Sequence, residues 1–112
     1  MVQERFQNCI DACMACALEC ENCATECLKE SDVKMLARCI QLDRECASVC
    51  RSAVALMSIG GENAALLCSA CAEICEACAA ECEKHDMEHC EHCAEECRAC
   101  ADECRRMAEQ HV

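Results

Sequence analysis

The chain has 112 residues, and its 22 Asp plus Glu outnumber its 10 Lys plus Arg, giving a formal net charge of −12. This length suits one small core, so we expect residues 1–112 to form a single domain. An acidic chain with one Phe, no Trp and no Tyr lacks the basic patch and stacking platform of a nucleic-acid binder, and that class is excluded.

The sequence also bears on the cellular compartment. Residues 1–5 lack the basic start and apolar stretch of a secretory signal, and no segment approaches the roughly 20 apolar residues of a membrane span. We therefore expect a cytoplasmic protein without membrane contact. Thiols stay reduced there, so 19 cysteines are more typical of a metal-binding protein than of a disulfide scaffold.

The cysteines recur at steps of three and four residues, which returns a side chain to one face of a helix. Strong helix formers lie between them. Four runs result, and we predict that all of their members face the core. They are Cys9, Cys13, Cys16, Cys20, Cys23 and Cys27; Cys39, Cys46 and Cys50; Cys68, Cys71, Cys75, Cys78 and Cys82; and Cys90, Cys93, Cys97, Cys100 and Cys104.

Three breaks separate the runs. Ser31 or Asp32 is suited to cap the second helix, Gly60 and Gly61 are suited to end it in a left-handed turn, and Asp86 is suited to cap the last. The predicted helices lie near 5–29, 33–59, 62–84 and 87–109. Because such short connections place neighbouring helices antiparallel, we predict an all-α fold, an antiparallel up-down-up-down four-helix bundle with a Cys-lined core.

An internal repeat in three of the helices supports this bundle. CAEICEACAAEC at 71–82 matches CAEECRACADEC at 93–104, and CALECENCATEC at 16–27 follows the same pattern. The second helix departs from it, with three Cys and more large aliphatic residues than one core face requires. That surplus suggests a subunit interface.

Packing alone does not explain so many cysteines, because Leu and Ile fill a bundle better. Disulfides within one helix face are also disfavoured, since Cβ atoms at i and i+4 lie about 5–6 Å apart and a disulfide needs about 3.5–4.5 Å. Disulfides between helices remain an alternative interpretation, and so does a thiol–disulfide redox protein. Metal binding is the preferred interpretation. No Ser/His/Asp set, phosphate loop or paired-carboxylate cleft suggests an enzyme.

The net charge left in the core distinguishes between the candidate metals. Buried thiolates are costly unless each charge is met locally. A Zn²⁺ ion in four thiolates leaves a net charge of −2 and needs converging ligands, whereas Cu⁺ accepts two or three sulfurs and reaches about one ion per thiolate when sulfurs bridge. We therefore predict Cu(I) storage, with a zinc or cadmium thiolate sink as the alternative, and iron–sulfur clusters rank third.

The residues resemble the bacterial cytosolic copper storage proteins. The resemblance covers essentially the whole chain and is carried by the Cys-x3-Cys-x2-Cys-x3-Cys run of the first helix, IQLDREC at 40–46, CAEICEAC at 71–78, and KHD at 84–86 leading to His89 and Cys90. It implies a homotetramer of bundles, each filled with Cu(I) through its thiolates, with copper entering at one polar end.

Six residues beyond the cysteines bear on this interpretation. Asp43 fills a position where the spacing calls for Cys. It is either a hydrogen-bonded residue of the core face, or a metal ligand or a residue that contacts a ligand. His85, Met87, His89 and His92 near the third turn are candidates to pass copper inward, as the resemblance suggests, or are exposed helix-end residues. His111 is assigned to the tail.

Two surfaces complete the predictions. Phe6, Met57 and Met107 should form an apolar plug at the opposite end of the bundle. The acidic outer face is mainly a solvated surface, and its charge would attract a copper chaperone of opposite sign.

Overall fold

The four Cys-bearing segments form the four long helices. The computed structural model describes residues 2–109, with side chains described from Glu4 onward, so His111 lies outside the described part. The helices are α1 (Val2–Leu28), α2 (Ala37–Ser58), α3 (Ala64–Cys82) and α4 (Glu88–Glu109). They make an elongated bundle of 48 × 18 × 18 Å.

The bundle has the predicted up-down-up-down arrangement. Each helix packs against two neighbours, α1 and α3 both contacting α2 and α4. The turns at 29–32 and 83–87 therefore share one end, which we call the histidine end because His85, His89 and His92 lie there. The other end carries Phe6, Met57 and Met107, and we call it the methionine end.

The turn between α2 and α3 confirms the role predicted for the two glycines. Gly60 has φ 64°, in the left-handed region that a residue with a Cβ adopts at a cost. The Gly60 N–H donates to the Met57 carbonyl at 3.1 Å, and the Gly61 N–H donates to the Leu56 carbonyl at 2.9 Å. This pair of bonds is the Schellman motif, which satisfies the last carbonyls of α2.

The predicted start of the second helix is wrong in detail. Residues Val33–Leu36 form a 3-10 turn, and α2 begins only at Ala37. The Asp32 side chain makes no capping hydrogen bond; its carbonyl accepts the N–H of Met35 instead. Leu36 is fully buried, which draws this tight turn against the bundle.

The third turn also differs from the prediction. α3 ends at Cys82, and α4 begins at Glu88. The N–H groups of Cys90 and Glu91 both donate to the Met87 carbonyl, so Met87 precedes the helix and the assignment of Asp86 as its cap is wrong. Residues 83–87 instead form an irregular connection between the two helices.

Thiols and alanines fill the core. All 19 cysteines are fully buried, as predicted, and alanines such as Ala47, Ala72 and Ala79 lie buried beside them and let the helices approach closely. Outside, ion pairs join neighbouring helices: Arg51 to Glu21 and a two-pronged pair from Arg98 to Glu83. Within the described residues, the helices are too short or too polar to cross a bilayer.

Candidate metal centre

The sulfur atoms form a column along the bundle axis. Every one of the nineteen Sγ atoms lies within 4.0 Å of another sulfur or of the Asp43 carboxylate. All nineteen are free thiols. The 3.6-residue helical period produces this column, because steps of three and four keep each run on the inward face.

At mid-length the column receives one sulfur from each helix. Cys16 lies 3.6 Å from both Cys46 and Cys97, and Cys46 lies 3.4 Å from Cys75. Sulfurs also meet across both diagonals of the bundle, with Cys16 4.0 Å from Cys75 and Cys46 3.9 Å from Cys97. The lumen at this level is therefore filled by thiols.

The sulfur spacing suits metal ions that share ligands. With metal–thiolate bonds of about 2.3 Å, two sulfurs on one ion lie roughly 3.8 Å apart at tetrahedral angles and up to about 4.6 Å apart in a linear arrangement. Groups of four thiols within 4.8 Å overlap: Cys16 and Cys46 belong to one group with Cys50 and Cys75, and to another with Cys20 and Cys97. Overlapping groups favour bridged ions over separate closed sites.

Burial keeps two thiols near the histidine end protonated before metal arrives. Removal from water raises the pKa of Cys27 to about 11, and it raises the pKa of Cys90 further. These two sulfurs lie 4.0 Å apart near the histidine end. A metal ion that binds here must displace protons.

Asp43 is fully buried and lies in the column in place of a thiol. Its Oδ1 accepts hydrogen bonds from Cys78 at 3.2 Å, Cys93 at 3.3 Å and Cys82 at 3.7 Å. Desolvation, with neighbouring Cys93 and Cys78 adding to it, raises the pKa of this carboxyl to about 11. Asp43 is therefore a neutral acid in the metal-free bundle, and thiols from two helices, α3 and α4, donate to one of its oxygens.

At the histidine end, the residues that the sequence grouped together lie in different surroundings. His89 Nε2 lies 3.6 Å from Cys27 Sγ and 3.9 Å from a Glu30 carboxylate oxygen. Met87 is partly buried against the core. His92 is exposed and lies 3.5 Å from Glu88. A surface pocket of about 560 Å³ opens here, and its lining includes Glu19, Asn22, Glu26, Glu30, Met87, Glu88, His89 and His92.

His85 faces a different neighbour. Its Nε2 lies 3.0 Å from a carboxylate oxygen of Glu81, a nearly buried acid that also pairs with Arg38 of α2 at 3.3 Å. Burial opposes ionisation of Glu81, but the hydrogen bonds from His85 and Lys84 outweigh it and lower its pKa. This network ties α3 to α2 beside the column. Sequence reasoning missed it, although Glu81 at four residues before His85 was a readable signal.

The methionine end is closed by the three predicted residues, and Phe6, Met57 and Met107 are all buried. One contact here was not predicted: Cys68 Sγ donates to the Met57 thioether sulfur at 3.8 Å.

Free thiols that face one another along the axis of a helical bundle define a thiol-lined metal-binding protein. A family model described as copper storage protein matches residues 2–109, and the chain belongs to the copper storage protein family. The resemblance seen in the sequence is thereby confirmed.

Solved structures agree. Cu(I)-bound copper storage protein BsCsp3 is 48% identical, with a TM-score of 0.89 over 92% of this chain and 97% of that one. The apo form of copper storage protein 3 from Bacillus subtilis is 46% identical, with a TM-score of 0.85 over 92% and 98%. A cytosolic copper storage protein from Streptomyces lividans, loaded with five coppers, is 36% identical, with a TM-score of 0.90 over 96% and 95%.

Proposed function

We propose that this chain stores Cu(I) in the cytosol, at about one ion per cysteine, with the nineteen cysteines as its ligands and without a catalytic cycle. The column of nineteen buried, free thiols carries the proposal. Cu(I)-bound and copper-loaded relatives of the same fold support it. We also propose that residues 1–112 act as a single domain.

Charge balance favours Cu⁺ over Zn²⁺ in this lumen. Each ion that replaces a thiol proton, in the step Cys–SH + Cu⁺ → Cys–S–Cu + H⁺, leaves the core neutral. Zn²⁺ bound by four thiolates would leave two negative charges in a space from which water is excluded. Sulfurs shared between overlapping groups, such as Cys16 and Cys46, fit bridging Cu⁺ with two or three sulfurs each.

Asp43 is proposed to hold thiols in position within this column. Its oxygen gathers Cys78, Cys82 and Cys93 at one level before copper binds. A carboxylate is a hard donor and a poor match for Cu⁺, so its main contribution is to orient the thiols and to remain beside the ions that they bind.

Copper is proposed to enter at the histidine end. His89 connects the surface pocket to Cys27, the last thiol of α1, and Met87 and His92 line the same pocket. The acidic rim, which includes Glu26 and Glu30, would attract a copper carrier with a basic docking face. His85 is proposed to stabilise this end through Glu81 rather than to carry copper.

The family resemblance suggests a homotetramer. Exposed apolar side chains on α1, Met14 and Leu18 four residues apart, support self-association because they form one stripe on the outer surface. Light scattering of the purified chain measures the mass directly. About four times 12.3 kDa is expected, and a monomer at all concentrations contradicts a tetramer.

A competition between metals tests the storage function. The reduced chain is incubated without oxygen with equal excesses of Cu(I) and Zn²⁺, passed through a desalting column, and analysed for both metals. We expect copper close to the number of thiols and little retained zinc. Four or five zinc ions per chain with little copper would favour the zinc or cadmium sink instead.

A further inference from the structure

The thiol column ends in a thioether. Met57 is fully buried at the methionine end, and the sulfur that contacts it belongs to Cys68 on the neighbouring helix. Met107 is buried at the same end, but the thioether that receives a thiol hydrogen bond is that of Met57. The position is therefore more specific than general apolar filling requires.

Met57 occupies the slot in which the other helices carry cysteine. On α2 it follows Cys50 by seven residues, two helical turns along the same inward face. At this level α1 contributes Cys9 and α4 contributes Cys104, whose sulfurs lie 3.7 Å apart. Two pairs of sulfurs thus lie at this end: Cys9 with Cys104, from α1 and α4, and Cys68 with Met57, from α3 and α2.

The geometry of the contact matches a shared ion. The Cys68 Sγ to Met57 Sδ distance is 3.8 Å, the separation of two sulfurs on one ion at a bond length of about 2.3 Å and an angle near tetrahedral. The Cys68 thiol is the donor in this contact and the Met57 sulfur is the acceptor. Cu⁺ can take the place of the thiol proton: the Cys68 S–H bond breaks, a Cu–S bond forms, the proton leaves to solvent, and a Met57 lone pair completes the second bond.

A thioether is suited to the end of such a column. It is a soft donor that Cu⁺ accepts, and it is uncharged. Beyond Cys9, Cys68 and Cys104, Phe6 and Met107 close the bundle, so no further layer of ions would balance another thiolate. A neutral sulfur adds coordination for the terminal ion without adding a buried negative charge.

We propose that Met57 is a Cu(I) ligand, forming with Cys68 a terminal copper site at the methionine end. This inference rests on the proposed function, because it concerns the same cargo. It assigns a twentieth sulfur ligand to a residue that the sequence suggests is only part of an apolar plug.

Selenium absorption spectroscopy detects this bond directly. The chain is produced with selenomethionine in a Met87→Leu background, which removes the methionine that lines the pocket at the histidine end, and is loaded with Cu(I) without oxygen. Two further variants are compared: Met57→Leu, and Met107→Leu as a control buried at the same end. Both replacements nearly conserve side-chain volume. Copper per chain is measured on every sample.

We expect a copper neighbour of selenium in the parent and in Met107→Leu, and its loss in Met57→Leu together with about one copper fewer per chain. A fully loaded parent without a copper–selenium neighbour overturns the inference and leaves the storage function intact. A chain that binds no copper overturns both. The parent spectrum gives its answer even if Met57→Leu fails to fold.

Discussion

Replacing the four central thiols Cys16, Cys20, Cys75 and Cys97 by Ser should divide the copper column while leaving the helices folded. Cys16 and Cys97 meet at 3.6 Å, and Cys20 lies 3.7 Å from Cys97, so the set removes one connected segment. At about one ion per thiolate, the capacity should fall from near 19 to about 15 or fewer, because ions that bridged to the missing sulfurs also lose a ligand.

The cost to stability should be tolerable. Each new buried hydroxyl among weakly accepting thiols costs about 1 kcal/mol, so the four together cost about 4 kcal/mol of the roughly 5–15 kcal/mol that stabilises a domain. Circular dichroism should still show a helical protein, and an anaerobic Cu(I) titration measures its capacity.

A matched control adds hydroxyls without removing thiols. Ala17, Ala47, Ala72 and Ala94 are buried, one on each helix, and their replacement by Ser should leave the capacity near that of the parent because a helical Ser can bond to its own backbone. A folded Cys-to-Ser variant that still binds about 19 copper ions would refute the column.

Three further outcomes are expected. Because the pKa of Asp43 is about 11 in the fold and near 4 in the unfolded chain, the stability of the metal-free bundle should fall as pH rises above about 4. Asp43→Asn should remove that loss, as measured by urea unfolding at pH 5 and pH 8. Identical pH dependence in both proteins would contradict the assignment. Gly60→Ala should lower stability by about 1 kcal/mol in thermal unfolding, since it forces a Cβ into left-handed backbone, whereas Gly61→Ala should cost less, and equal losses would be inconsistent with the cap. His89→Ala should slow Cu(I) uptake in stopped-flow mixing without lowering final capacity. His92→Ala should slow uptake much less, because His92 lies beside Glu88 rather than beside Cys27. Unchanged uptake in the first variant would argue against entrance beside Cys27.

The inward face of every helix was predictable because cysteine spacing reports the helical period directly. All nineteen thiols lie where steps of three and four place them, and the glycine turn follows from the need for a left-handed residue at Gly60. The residues at which the helices begin were harder to predict from the sequence. Burial of Leu36 draws residues 33–36 into a 3-10 turn, and that tertiary effect leaves no local trace in the sequence.

The two ends of the bundle show what spacing alone misses. His85 and His89 are four residues apart, yet their Nε2 atoms lie beside Glu81 and Cys27 respectively, because the connection at 83–87 is irregular rather than helical. Met57 could be assigned to the core face but not to a sulfur contact. That contact depends on how α3 packs against α2 after the glycine turn.

The most direct test of copper storage is an anaerobic titration of the fully reduced, metal-free chain with Cu(I) in the presence of a competing chelator. The quantity measured is the number of ions held per chain. A tightly held plateau near one copper per cysteine is the predicted result, since all nineteen thiols are free and buried in the core. A plateau at four ions or fewer would mean discrete sites and would contradict a filled core.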